Sequence, residues 1–226
     1  VDFTQVNINS GVTSRGDGFN MDADVNHTLT FGNGGFLNAT LGFGYQDYTN
    51  RAGQPGKDDL FGVNNQWTKD NPGLGMIVGQ PEMKKGDLYI NAEYPLNDDT
   101  VIYAFGGGNL RKGKSFALYR PPYWITDDFG LLTPSGQAYN GFQPTFETNI
   151  KDILFTAGSR FKLGGFNADL SATYGGNSVD YTIGNTINPS LGGNSPTSFD
   201  AGAYAFSNII GNFDVNRSFG EVSIGW

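Results

Sequence analysis

Strict alternation of apolar and polar side chains, interrupted by glycine-rich turns, is the feature that most limits how this chain can fold. In residues 20–31 the odd positions are Met, Ala, Val, His, Leu and Phe, whereas the even positions are Asn, Asp or Thr. Because successive side chains of a β-strand point to opposite faces, this segment predicts a strand with one apolar and one wetted face. A Gly-Asn-Gly-Gly turn follows and the alternation resumes over residues 37–46, so the two segments predict a β-hairpin.

The same alternation recurs along the chain and predicts about eight strands that follow one another in an antiparallel meander. The later strands are predicted at residues 87–94, 100–110, 151–163 and 166–174, with weaker candidates at 4–12 and 218–226. Short connections at 32–35, 95–99 and 164–165 alternate with long ones at 48–86, 111–149 and 175–217. All the tight turns therefore fall at one end of the sheet and the long loops at the other.

This one-sided distribution of loops separates two classes of β protein. Outer-membrane barrels combine short periplasmic turns with long extracellular loops, and their strands of about 9–11 residues cross the hydrocarbon. In a soluble sandwich, three structureless loops of such length would count against the strand assignment. The sequence therefore predicts an all-β fold, a transmembrane antiparallel β-barrel segment of the bacterial outer membrane that forms one domain over residues 1–226.

Composition agrees with this class and excludes several others. Glycine accounts for 34 of the 226 residues and only 16% are charged, which argues against a helical protein, and the 14% of aromatic residues argues against disorder. The mean hydropathy of -0.35 argues against a transmembrane helix, although barrel strands average to similar values. The net charge of -8 argues against nucleic acid as a partner.

No group of side chains predicts catalysis, a metal site or a cofactor, so the chain is not expected to be an enzyme. His27 is the only histidine and has no cysteine with which to share a metal. A phosphate-loop pattern at residues 108–115 lacks the helix that such a loop needs, because prolines stand at positions 121 and 122. Adjacent aspartates at 58–59, 98–99 and 127–128 are interpreted as solvated or turn-forming residues.

Two groups of side chains are candidate contact sites. Basic side chains at the outer rim of a strand predict a contact with lipopolysaccharide, because basic clusters attract lipid phosphates; they are Arg111, Lys112 and Lys114. Aromatic and cationic side chains in the loop that follows suit a carboxylate-bearing or carbohydrate-like ligand, and the alternative is that they pack the loop onto the barrel wall. These candidate ligand-binding residues are Tyr119, Arg120, Tyr123 and Trp124.

Short segments that occur in order from about residue 11 to residue 220 resemble the barrel of TonB-dependent outer-membrane receptors. They include residues 39–45, 86–93, 103–107, 139–144 and 185–192, with the peptides YAFGG, YNGFQP and NTINPSLG among them. The resemblance implies active uptake of a scarce small-molecule ligand, such as a siderophore, a vitamin or an oligosaccharide. It also implies that the TonB–ExbB–ExbD complex supplies the energy through a plug domain.

Receptors of this kind have 22 strands and a plugged lumen. The chain is therefore expected to be the N-terminal portion of such a barrel, without the plug. The principal alternative is a complete small outer-membrane barrel of eight strands with a structural or adhesion role. An outer-membrane protease or lipase and a soluble carbohydrate-binding β domain are the remaining alternatives.

Overall fold

The computed structural model describes residues 2–53 and 65–220, and within these ranges the protein is all-β. One antiparallel sheet contains eight strands in sequence order, each paired with the next. The strands are β1 (Phe3–Gly11), β2 (Asn20–Thr30), β3 (Phe36–Gln46), β4 (Glu82–Asn97), β5 (Thr100–Phe116), β6 (Thr145–Leu163), β7 (Phe166–Gly184) and β8 (Ser198–Asn216). A short helix, α1 (Gln66–Asp70), and a 3-10 helix at Pro189–Asn194 lie in the connections.

In the residues that the structure describes, no helix combines the length and the apolar character needed to cross a membrane.

The predicted meander is confirmed, but the last strand is not where the sequence placed it. The prediction of residues 175–217 as a long loop is wrong, because β7 continues to Gly184 and β8 occupies most of the remainder. Alternation is weak in β8 because Tyr204, Phe206 and Ile210 make its second face apolar as well, and a bulge interrupts its register. In the strand predicted at 218–226, residues 218–220 are irregular and residues 221–226 lie outside the described residues.

The connections are sorted by length between the two ends of the sheet, as predicted. At one end, here called the outer end, lie the connections 12–19, 47–81, 117–144 and 185–197, named the outer loops. At the inner end, β2 and β3 are joined by a turn in which the Phe31 N–H donates to the Gly35 carbonyl at 2.8 Å. Gly164 and Gly165 join β6 to β7 with φ values of 59° and 82°, as a two-residue hairpin turn requires.

The two faces of the sheet differ in chemistry. On one face, here called the apolar face, the register aligns Val25, Leu41 and Leu88 across β2, β3 and β4. On the opposite, polar face, ion pairs bridge strands, with Lys85 3.0 Å from Asp22 and Arg160 2.5 Å from Glu93. Because the partners of these ion pairs lie on different strands, the bonds of the polar face fix the register of the sheet.

Near the middle of the sheet, several glycines of the polar face are more crowded than those of the apolar face. On the polar face, a β-carbon added at Gly158 would overlap the Tyr103 ring, and one added at Gly175 would overlap Asn208. On the apolar face, a β-carbon at Gly86 or Gly211 would meet no atom within 4 Å. Gly184, on the apolar face, is crowded as well, by Thr145 and Glu147. The polar face is called concave and the apolar face convex below, after the curvature expected of a barrel wall.

The sheet lacks the covered core of a compact domain. The chain exposes 14509 Å² of surface, whereas a compact monomer of 24.4 kDa is expected to expose about 10,000 Å². Among the described residues, Ala168 and Val179 are the only buried large or small aliphatic side chains in strands, whereas Tyr119, Phe142 and Ile187 are buried in the outer loops. Large apolar side chains of the strands are therefore left exposed.

Candidate functional site

An ion pair connects two of the outer loops next to β2 and β3. Both terminal nitrogens of Arg51 donate to the Asp17 carboxylate, at 2.5 and 2.9 Å. The Thr13 hydroxyl and the Asn50 N–H also donate to Asp17. These hydrogen bonds, chiefly the one from Arg51, hold the pKa of Asp17 well below its usual value of 3.8. The carboxylate therefore stays charged and paired with Arg51 throughout the neutral range.

Aromatic rings from two outer loops meet in a group here called the outer aromatic cluster, which consists of Trp67, Tyr119, Tyr123 and Trp124. The Trp67 ring stacks on Tyr119, with centroids 5.6 Å apart, and meets the edge of Tyr123 at 5.9 Å. Trp124 extends the cluster from Tyr123 at 6.2 Å. The indole N–H of Trp67 donates to the Asn140 side chain at 2.5 Å, so the cluster joins the connection 47–81 to the connection 117–144.

The four predicted ligand-binding residues lie in this region but differ in what they can do. Tyr119 is buried, its hydroxyl donates to the Asn140 carbonyl, and burial raises its pKa, so it packs the loop. The Arg120 guanidinium donates to the Leu118 carbonyl of its own loop at 2.9 Å. Tyr123 and Trp124 expose more than a third of their surface to solvent. The structure therefore supports packing for Tyr119 and leaves ligand contact to the two exposed rings.

A buried carboxylate organises the centre of the loop 117–144. Asp128 is only 2% exposed and accepts hydrogen bonds from the backbone N–H groups of Gly130, Leu132 and Thr133 at 3.0, 3.1 and 2.5 Å. Burial alone would raise its pKa, but the hydrogen bonds from Thr133, Gly130 and Leu132 outweigh burial and lower it. The prediction of turn formation at 127–128 is confirmed, and the burial of Asp128 is a new feature.

The same loop is held at two further points, one within the loop and one to the neighbouring connection. The Tyr139 hydroxyl donates to the Ile125 carbonyl at 2.7 Å, and burial, with the negative charge of Asp128 nearby, raises the pKa of Tyr139 to about 12. The Asn185 side chain donates to the Gln143 carbonyl at 2.7 Å. The connections 117–144 and 185–197 are therefore held together.

The three basic residues predicted to contact lipopolysaccharide lie on different faces of β5. Lys112 and Lys114 lie on the convex apolar face, at its outer end. Arg111 lies on the concave polar face, where it is 2.7 Å from Asp152. Alternation along a strand separates neighbours in this way, so the structure brings together only the two lysines of the predicted trio.

The remaining motifs have structural surroundings that account for them. Residues 108–115, the phosphate-loop pattern, lie entirely within the extended strand β5. His27 lies on the apolar face with its Nδ1 2.8 Å from the Thr4 hydroxyl. Among the residues that the structure describes, no group of three His, Cys, Asp or Glu side chains could hold a metal ion.

The sequence did not single out three residues that take part in these sites. Trp67 lies in the connection 47–81, far along the chain from the tyrosines that it contacts, and its sequence surroundings give no signal of this contact. Lys84 and Lys151 share the face of Lys112 through the strand register. For these two lysines a signal exists. Lys151 is the first residue of the strand predicted at 151–163, and Lys84 lies where the alternation of the strand predicted at 87–94 continues outward, so alternation places both on the apolar face.

Comparison of the chain with protein-family models, curated proteins and solved structures finds no match. The function must therefore be argued from the geometry and chemistry of the chain itself.

Proposed function

We propose that the sheet is part of the wall of a transmembrane β-barrel in the bacterial outer membrane, with its convex face toward lipid. The uncovered apolar face is the observation that carries this proposal: Leu41, Leu88 and Ile153 are each about half exposed, and no described part of the chain packs over them. Hydrocarbon is the environment in which such a face is stable. The opposite face, rich in ion pairs and hydrogen bonds, suits a water-filled or plugged interior.

The edges of the sheet favour a barrel of more than eight strands. In the described residues, β1 and β8 each pair on one side only, and unpaired backbone groups are costly in hydrocarbon. Pairing β1 directly with β8 would close the barrel, but β1 has 9 residues and β8 has 19. Much of β8 would then lack a partner. Further strands of the same wall satisfy both edges better than the alternative eight-stranded barrel does.

Within this setting, the chain takes part in TonB-dependent uptake of a scarce small-molecule ligand, coupled to the TonB–ExbB–ExbD complex. The ordered resemblance of its short segments to such receptors supports this assignment, and so does the outer aromatic cluster above the polar interior. The Arg120 guanidinium uses one N–H within its own loop and keeps its charge and its other donors. The cluster and Arg120 therefore join ring faces to a cation, which suits a carbohydrate-like or a carboxylate-bearing ligand.

Single cysteines on adjacent residues test the membrane placement. The chain has no cysteine, and Leu88 and Tyr89 lie on opposite faces of β4 with nearly equal exposure, 50% and 51%. In reconstituted protein, we expect a spin label on Leu88→Cys to be relaxed mainly by oxygen, which partitions into lipid. A label on Tyr89→Cys should be relaxed mainly by a water-soluble nickel chelate. Equal access of the nickel chelate to both sites would contradict the placement.

Uptake by cells tests the transport function. We expect cells that carry the protein to accumulate one labelled ligand from a panel of ferric siderophores, cobalamin and oligosaccharides, and to stop when a protonophore is added. Trp124→Ala should lower this accumulation about fivefold to thirtyfold, because it removes a ring contact with the ligand of about 1–2 kcal/mol. Leu191→Ala, in the connection 185–197 and also exposed, is the control. Accumulation that is insensitive to the protonophore would refute active uptake.

A further inference from the structure

Four lysines are gathered at the outer end of the convex apolar face. The register pairs Lys84 with Lys112 directly across β4 and β5. Lys151 pairs with Leu110, two residues along β5 toward the middle of the sheet, and Lys114 lies two residues along β5 toward the outer end. Among the described residues, Lys84 is the only one of the four with an ion pair, at 3.4 Å from Glu82. This positive cluster is unusual in a chain with a net charge of -8.

A groove in the apolar face begins directly below these lysines. It encloses about 910 Å³ and is lined by apolar side chains that include Leu41, Leu88 and Ile153, with Lys151 at its outer end. Its floor is deep where Gly86 and Gly108 present no side chain, and a β-carbon added at Gly86 would meet nothing within 4 Å. The groove and the lysine cluster are therefore continuous on one face.

We infer that the groove and the lysines bind one phosphate-bearing lipid, with an acyl chain in the groove and the phosphate at Lys112 and Lys151. The inference rests on the membrane placement proposed above. Lysine binds phosphate as a point charge, and each basic residue near a membrane surface attracts anionic lipid. Glu82, Glu147 and Asp180 line the same recess as Lys84, Lys112 and Lys114 and balance the charge of three lysines. Lys151 supplies the excess positive charge, so the acyl chain is needed for most of the affinity.

Binding of diphosphoryl lipid A to the purified protein in phosphatidylcholine vesicles tests both halves of the site. Lys112→Gln combined with Lys151→Gln should weaken binding of lipid A about twentyfold or more, because each lysine is expected to contribute about fivefold to the affinity. The matched control combines Lys69→Gln with Arg15→Gln, which removes the same charge from two outer loops. This control should change the affinity less than twofold if long-range charge is screened by salt at about 0.15 M.

Filling the groove tests the acyl chain. Gly86→Leu should weaken binding about tenfold, the effect of displacing about two buried CH₂ groups. Gly211→Leu is the matched control, because it adds the same side chain to the same face. A β-carbon at Gly211 also meets nothing within 4 Å, and Gly211 lies outside the groove. Unchanged affinity in either the lysine variant or Gly86→Leu would overturn the site.

Two further measurements separate the possible failures. Inorganic phosphate that competes as well as the lipid, at equal concentration, would show a free anion site and overturn the lipid occupant. Flotation of the vesicles reports insertion independently of lipid binding. If the protein does not float with the vesicles, the membrane proposal itself is wrong. If the wild-type protein inserts but binds lipid A no more tightly than the variants do, only this lipid site is wrong.

Discussion

Leu41→Arg is expected to destabilise the protein in a bilayer by about 2–4 kcal/mol, the cost of an arginine near the midplane on the lipid side of a barrel. Leu41 is 46% exposed on the convex face and lies between Val25 and Leu88 in the strand register. Its side chain is too far from either end of β3 for the charge to reach water easily. Urea titration of folding into vesicles measures the change in the free energy of unfolding.

Tyr89→Arg is the matched control for this substitution. Tyr89 is 51% exposed and lies on the concave face, directly opposite Thr40 in the register. An arginine there meets the polar interior and should change the free energy of unfolding by less than about 1 kcal/mol, as surface substitutions usually do. If Tyr89→Arg were as costly as Leu41→Arg, the two faces could not differ in their solvent and the proposed orientation of the wall would be wrong.

The parts of the fold that the sequence could reveal are those governed by local period. Residues 20–31 and 37–46 alternate regularly because one face is apolar and the other is hydrogen-bonded, so their pairing follows from the pattern and the turn between them. The outer ends of β4 and β5 were missed because charged residues stand on both faces there, as Lys84 and Lys85 do. In β6 and β7 the alternation reverses at the outer end, where Ile150 and Val179 lie on the polar face. In β8, Phe206 and Ile209 are apolar on opposite faces, and period alone cannot identify such a strand.

The candidate site was less predictable because its contacts join distant parts of the chain. The aromatic composition of the loop 117–144 was evident, but the stacking of Trp67 on Tyr119 depends on how two loops meet at one end of the sheet. The separation of Arg111 from Lys112 could have been predicted, since adjacent strand residues face opposite ways. Burial of Asp128 could not, because adjacent aspartates usually indicate a solvated turn.

Asp128→Ala is expected to open the loop 117–144 and abolish the ordered outer aromatic cluster. The substitution leaves the N–H groups of Gly130, Leu132 and Thr133 without their acceptor, at about 1–3 kcal/mol for each buried donor that water does not reach. Phe129 adds to the cost, because its φ of 55° is a left-handed conformation that is stable only while its surroundings hold it. The loop escapes these penalties by unfolding locally.

Limited proteolysis of the reconstituted protein measures this opening. Cleavage within 117–144 should accelerate at least tenfold in Asp128→Ala, because about 1.4 kcal/mol changes an opening equilibrium tenfold. Asp127→Ala is the matched control: Asp127 is exposed and accepts one bond, from the Phe129 N–H at 2.8 Å. Similar cleavage rates in the two variants would show that the buried carboxylate does not hold the loop. Because the strands do not depend on Asp128, resistance of the sheet to protease should persist in both variants, which separates loss of the binding loop from loss of the fold.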